Sequence, residues 1–400
     1  MRNLWNNYLS SYKGLSANTW MLAFVMFINQ SGAMILPFMA IYMEEELIFS
    51  DLKKGIVLGL FGLGSIIGSL YGGKLTDQLG SYKVQLMSLL CVVPLYISLA
   101  FLKNFELLCL GVLLTSITKE LFRPANSVSV AKYAKPENLT KAFSLNRMAL
   151  NLGFSVGPAI GGFLAIYSFQ LLFFANAFMS LTAGVLFWWY FRNKSTNTLA
   201  KHKTEKIKTT DTRFKDYDFL LYSFFVALFA FCFFQLLNTL PLFYKNVALL
   251  KENQIGLLMA FNGLMVFSLE MFIIHIAEKK FTIATNLIIG MIFCGLAYTT
   301  LLFSSELSFL YLSLFFLSLS EILIMPFSST VAVHRSNTEN RGKYMGINGI
   351  SYSSALIFSP IIGTWIIEKY NFSTLWGVNI VISLITVFGF WHILKKWNMR

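Results

Sequence analysis

Five ionisable side chains stand out within the apolar stretches of this 400-residue chain: Lys119, Glu120, Arg123, Glu270 and Glu321. A charge at mid-bilayer depth costs roughly 2.5–3.5 kcal/mol on insertion scales, so such groups face a wet cavity, pair with one another or lie near an interface. Carboxylates held this way can take up and release protons, and neighbouring cations tune how readily they do so. Glu120 and Arg123 are three residues apart and Lys119 and Arg123 four, spacings that place each pair on one helix face. Glu270 reads equally as a second protonation site or as the structural partner of a basic residue. Four amides, Asn29 and Gln30 ahead of Pro37 and Gln235 and Asn238 ahead of Pro241, read as substrate contacts or as helix-to-helix hydrogen bonds. Covalent chemistry has no matching pattern: the sequence holds no paired Ser and His, no His-rich metal cluster and no Walker motif. Cys91, Cys109, Cys232 and Cys294 lack metal-ligand spacing and read as small packing residues.

The elements that position these groups are membrane helices. With 56% hydrophobic and 13% charged residues, the chain is too apolar for a soluble protein. Twelve apolar runs are long enough to cross ~30 Å of hydrocarbon. They are numbered here as spans one to twelve: Trp20 to Met43, Gly55 to Gly72, Val84 to Leu102, Leu107 to Val130, Ala142 to Tyr167, Leu171 to Phe191, Phe219 to Phe243, Ile255 to Ile276, Thr282 to Phe303, Leu307 to Val333, Tyr344 to Ile367 and Leu375 to Ile393. The first run has no signal-peptide cleavage pattern behind it, so span one is expected to stay in the protein.

Polar residues repeat between the halves. Pro124, Glu137, Asn138, Lys141, Pro158 and Gly161 recur 202 residues later as Pro326, Glu339, Asn340, Lys343, Pro360 and Gly363. The chain therefore reads as an all-α membrane protein of two pseudo-symmetric six-helix bundles, 1–191 and 219–400, joined by a polar linker, 192–218. Duplicated bundles are the usual build of secondary transporters, with binding near the midplane. At the same spacing Lys119 corresponds to Glu321, so opposite charges stand at equivalent places in the two repeats.

The net charge of +13 is an orientation signal rather than a nucleic-acid footprint. Of the 32 Lys and Arg, 23 fall at the termini, in the central linker and in the loops on that same side, and six in the opposite loops. By the positive-inside rule both termini are expected to be cytoplasmic.

The segment between spans two and three runs Gly72-Gly73-Lys74-Leu75-Thr76-Asp77-Gln78-Leu79-Gly80-Ser81-Tyr82-Lys83, and span five contains Gly153-Phe154-Ser155-Val156-Gly157-Pro158-Ala159-Ile160-Gly161-Gly162. The first resembles the signature loop of the major facilitator superfamily, Gly-x-Leu-x-Asp-x-x-Gly followed by basic residues. The second resembles the Gly-x-x-x-Gly-Pro-x-x-Gly-Gly motif of its antiporter branch, which includes drug:proton exporters. The resemblance implies that Gly73, Asp77, Gly80 and Lys83 form a gating loop in which Asp77 latches the cytoplasmic side. It implies too that Gly153, Gly157, Pro158, Gly161 and Gly162 form a tight packing seam. The chain departs from the family at Ser81 and Tyr82, where basic residues are preferred, and at Val112, where drug exporters of this kind often carry a proton-relay arginine.

The reading that follows is a proton-coupled secondary active transporter working by alternating access in a bacterial cytoplasmic (inner) membrane, with no cofactor beyond a proton gradient. Its expected partners are a small-molecule substrate and the lipid bilayer, with no nucleic acid, and it is expected to function as a monomer. Efflux of a small amphipathic compound is the leading direction. Proton-driven import of a sugar, peptide or organic acid is the alternative, and a receptor or scaffold that moves nothing is the alternative of another class.

Overall fold

The computed structural model describes residues 14–135, 138–194, 216–336 and 341–397. Every regular element among them is helical. The linker expected at 192–218 and the repeat residues Glu137, Glu339 and Asn340 fall largely or wholly outside the described residues. Twelve spans are present. Among the described residues eleven stretches are long and apolar enough to cross a membrane, and span four supplies the twelfth in two pieces, Phe105–Glu120 and Phe122–Tyr133.

That interruption corrects the single helix expected at 107–130, and Pro124 explains it. Proline has no N–H to donate and its ring crowds the carbonyl four residues back, here that of Glu120. Ser88 of span three shares its single O–H between the carbonyls of Thr118, at 2.7 Å, and Lys119, at 3.2 Å, supplying a donor beside the break. The equivalent Pro326 lies inside an unbroken helix, Leu307–Arg335, so the repeats share a proline without sharing its effect.

Spans one and seven break as well. Span one consists of Ala17–Ser31 and Ile35–Glu45 on either side of Gly32–Met34. Span seven is cut at Phe234 and Thr239 into Tyr217–Phe233, Gln235–Asn238 and Leu240–Asn246. Pro37 and Pro241 follow these breaks, where the missing donor leaves the carbonyls of Ala33 and Leu237 without their helical partner.

The chain divides into two compact units. One holds Met1–Phe38 with Leu63–Leu199, and the other holds Met39–Gly62 with Ala200–Arg400. The end of span one, the following hairpin and the start of span two thus pack as part of the second unit. The end of the second unit that carries this hairpin is called distal below, and the opposite end, with Tyr217 and Lys396, proximal.

Candidate functional site

Within the first unit, the span-five motif packs on span one. A Cβ at Gly153 would lie 2.8 Å from the Phe27 carbonyl oxygen, one at Gly157 2.8 Å from that of Ser31, and one at Gly161 3.0 Å from Met34 Cβ. Only hydrogen fits at these positions, so the two backbones meet where span one breaks. Gly162 is buried beside them. Pro158 is buried inside Leu139–Ala165, a helix that continues through it. Span six also closes on this break at Gly32, whose Cβ would lie 2.9 Å from Met179 Cβ. Asn29 is 9% exposed and Gln30 lies against Gly153, so the first amide pair flanks the seam.

The second unit repeats this contact with amides. Gln235 Oε1 accepts from Thr239 Oγ1 at 2.7 Å, and a Cβ at Gly363 would lie 2.7 Å from Gln235 Oε1. Asn238 Nδ2 donates to the Phe234 carbonyl at 2.8 Å. These amides therefore serve the breaks of span seven and its contact with span eleven.

The charged segment of span four sits at its break. Arg123 Nε lies 3.2 Å from Glu120 Oε2, with Glu120 buried and the Arg123 side chain 66% exposed. Glu120 also packs on span two, where a Cβ at Gly68 would lie 3.0 Å from Glu120 Cβ. Half-buried Lys119 precedes it. Gly64, Gly68 and Gly72 form a second glycine seam, against Ser116, Glu120, Leu121 and Pro124, which the sequence reading did not single out.

In the second unit, Glu270 of span eight is buried and Glu321 of span ten is half-buried. Their helices, Glu252–Lys280 and Leu307–Arg335, are parallel neighbours, joined where Asn262 Nδ2 donates to Ser318 Oγ at 2.9 Å. Glu270 is eight residues beyond Asn262 and Glu321 three beyond Ser318. At 1.5 Å per residue the two carboxyls differ by ~7.5 Å in depth, with Glu321 nearer the distal end.

The expected gating loop is scarcely a loop. Helix Asp51–Leu79 runs through Gly73 and Asp77, and the next begins at Ser81, so Gly80, with φ +83°, makes the whole turn. That backbone angle is the one glycine adopts without steric cost. Gly72 makes the close approach, its Cβ position 2.8 Å from Pro124, whereas a Cβ at Gly73 meets nothing within 4 Å. Asp77 and Lys83 are exposed. Ser81, standing where the family prefers a basic residue, accepts from Ser129 Oγ at 2.9 Å.

Two ionic groups were missed by the sequence reading. At the proximal end Asp216 receives Arg335 Nε at 2.9 Å and Tyr344 Oη at 2.9 Å, and accepts the Phe219 N–H at 3.1 Å to start span seven. Burial pushes the Asp216 carboxyl up, but these hydrogen bonds and the Arg335 charge outweigh it and hold it below its ordinary value. A depressed carboxyl contributes stability above its unfolded pKa, about 3.9, and loses it as pH falls through the lower folded value. Asp216→Asn is therefore expected to cost about 1 kcal/mol at pH 7, as for a partly exposed pair. It should also flatten the acid limb of a thermal-unfolding pH series below about pH 4. An unchanged acid limb would show that Asp216 is not what titrates there.

At the distal end Lys54 pairs with Glu44 at 2.6 Å and Asp51 at 2.5 Å, its side chain 3% exposed. Lys245 pairs with Glu45 at 2.7 Å and with Glu252. Burial pushes the Lys245 ammonium down, but its two carboxylate partners raise it above the ordinary lysine value. The sequence signal was the run Glu44-Glu45-Glu46 directly after span one, matched 201 residues on by Lys245-Asn246.

The Major Facilitator Superfamily model matches residues 19–305 and 250–396. Among curated relatives, the uncharacterized MFS-type transporter YttB of Bacillus subtilis is 24% identical over 90% of this chain and 91% of its own. The multidrug resistance protein MdtH of Klebsiella pneumoniae is 22% identical over 84% of this chain and 82% of its own. Among solved structures, a peptide transporter POT in complex with sulfate has a TM-score of 0.79 at 18% identity, covering 96% of each chain. The nucleoside transporter NupG has a TM-score of 0.78 at 14% identity, covering 95% of this chain and all of its own. These structures share the fold. A transporter family rather than an enzyme family is the common ground of the sequence matches. Twelve spans, the span-five seam on span one and a family match running from residue 19 to 396 make this integral membrane protein a member of the major facilitator superfamily.

Proposed function

We propose that this transporter is proton-coupled and exports a small amphipathic compound across a bacterial cytoplasmic membrane, with both termini on the cytoplasmic side and the monomer as the working unit. The observation that carries the coupling is the placement of Glu270 and Glu321 on packed parallel helices deep within the second unit. A carboxyl at that depth is stabilised in its neutral form by desolvation and in its charged form by a nearby cation. It can therefore exchange a proton as its surroundings change. Lys119, at the position equivalent to Glu321, is the basic residue the duplication supplies for this exchange. Glu120 and Arg123 compensate each other beside it. Asp77 is assigned the role of a proximal gate residue and Asn29 that of a substrate contact, while the span-five seam keeps its bundle sealed. The similarity to multidrug resistance proteins supports the direction.

Inside-out vesicles test this reading. With an acid lumen, an exporter exchanging protons for substrate accumulates a fluorescent amphipathic substrate in the lumen, and collapsing the gradient with an uncoupler releases it. Substrate driven the other way by the same gradient would establish import. A panel of amphipaths and nutrients that the gradient never moves would overturn transport by proton exchange.

A further inference from the structure

The distal hairpins after spans one and seven are built alike, in a register one residue off the main repeat. Ile48 and Leu249 both adopt positive φ, 53° and 54°, a conformation rare for bulky side chains. Phe49 N–H bonds the Met43 carbonyl and Leu250 N–H the Tyr244 carbonyl, each at 3.0 Å. Asp51 and Glu252 open the helices that follow. Each of these pairs is 201 residues apart, so Glu44 corresponds to Lys245 and Glu45 to Asn246. The contacts cross over: Lys245 pairs with Glu45 and Asn246 Nδ2 donates to Glu44 Oε1, both at 2.7 Å. Each position touches the other's counterpart, which is the reciprocity a twofold axis generates.

The charges on this frame are not symmetric. Lys54 is nearly enclosed and holds Glu44 and Asp51 together. Glu368, at the end of span eleven, accepts the Leu52 N–H at 2.5 Å. Beneath it span two lies on span eleven through glycines. A Cβ at Gly55 would stand 2.8 Å from the Pro360 carbonyl oxygen, and one at Gly62 2.6 Å from the Leu356 carbonyl oxygen.

The geometry points to Lys54 as the keystone of a distal latch that ties the ends of spans one and two to spans seven, eight and eleven and must part before that end can open. Three features support the assignment. The two carboxylates that Lys54 bridges lie at most about 5 Å apart and repel each other once its charge is gone. Glu44 is at once the partner of Lys54 and of Asn246, so Lys54 secures the crossed contact indirectly. The glycine face of span two brings it close to span eleven, and the charges at its end are the part of this contact that a single substitution can turn repulsive. The inference rests on the transport reading, because only a transporter needs this end to open.

Opening can be read without any substrate, so failure of the latch and failure of the transport reading are distinguishable. The reporter is Val57→Cys, fully buried two residues past Gly55, in a background lacking the four native cysteines. A membrane-impermeant maleimide applied from the distal side labels it only when the end opens. Lys54→Met should raise the labelling rate about tenfold, because it removes the enclosed cation and leaves two half-buried carboxylates facing each other at close range. The triple variant Lys54→Met, Glu44→Gln, Asp51→Asn removes the repulsion together with the cation and should return the rate to within about threefold of the parent. Exposed Lys103, outside the latch, serves as the control, and Lys103→Met should leave the rate unchanged. If Lys54→Met does not reach the membrane, Glu44→Gln decides, with an expected rise of about threefold. Parent-like labelling of Lys54→Met, or of Glu44→Gln in its place, overturns the proposal, as does a triple variant as open as the single one.

Discussion

Glu321→Gln is expected to uncouple substrate movement from the proton gradient while leaving exchange of substrate for substrate intact. Glutamine has nearly the shape of a protonated glutamate but cannot release the proton, so the second unit is fixed in the form it would hold with the proton bound. A transmembrane potential of 100 mV is worth about 2.3 kcal/mol per charge, or roughly a 50-fold concentration ratio. Loss of one coupled proton should cut concentrative accumulation in vesicles by about that factor at that potential. Counterflow needs only that both loaded forms interconvert, and should persist within a few-fold. Glu270→Gln separates the two carboxyls. Glu270 lies ~7.5 Å deeper along the paired helices, and if it carries the proton instead, the two phenotypes exchange. Wild-type accumulation by Glu321→Gln would remove Glu321 from the coupling step altogether.

The fold was legible to the extent that it is written in local pattern. Hydrocarbon thickness sets span length, so twelve runs gave twelve spans, and polar residues repeating at 202 gave the duplication. The i,i+3 spacing of Glu120 and Arg123 put them on one face, and they are paired. Gly-x-x-x-Gly in span five announced a close contact, but spacing along one helix carries no address for its partner, and the identity of span one came only from the structure. Local pattern also misled. The resemblance of Gly72 to Lys83 to a signature loop suggested a loop, whereas a helix with packed neighbours tolerates glycine at a modest cost, and Gly80 alone supplies the turn. Pro124 and Pro326 stand at equivalent repeat positions, yet only the first breaks its helix, and the hydroxyl that bonds carbonyls beside the break, Ser88, belongs to another span. The distal charges were hidden for a related reason. Lys54 and Lys245 counted as loop residues in a topology rule that weighs charge by side, and that rule says nothing about an ion pair spanning 200 residues. Lys245 becomes informative once the offset shifts from 202 to 201 at the hairpins, where it corresponds to Glu44.

Gly157→Leu should be the most damaging single change in the first unit, and the reason separates packing from motif. Its Cβ alone would sit 2.8 Å from the Ser31 carbonyl oxygen, and Gly153 and Gly161 on the same face leave span one nowhere to retreat along the seam. The obstruction falls where span one is already interrupted, at Gly32–Met34, with span six packed close on Gly32. Overpacking a tight interior typically costs 1–3 kcal/mol, and a four-carbon side chain aimed at backbone belongs at or above about 3 kcal/mol. Detergent-solubilised protein should therefore unfold several degrees lower, with less folded material reaching the membrane. Gly73→Ala provides the contrast. Gly73 belongs to the family's signature segment, yet an added methyl there meets nothing within 4 Å and lies inside a helix. Alanine in place of glycine within a helix favours folding by about 0.5–1 kcal/mol, so this variant should unfold at or above the wild-type temperature. Were the two variants to lose stability equally, motif membership rather than contact with span one would govern these glycines, and the seam would not be what holds spans one and five together.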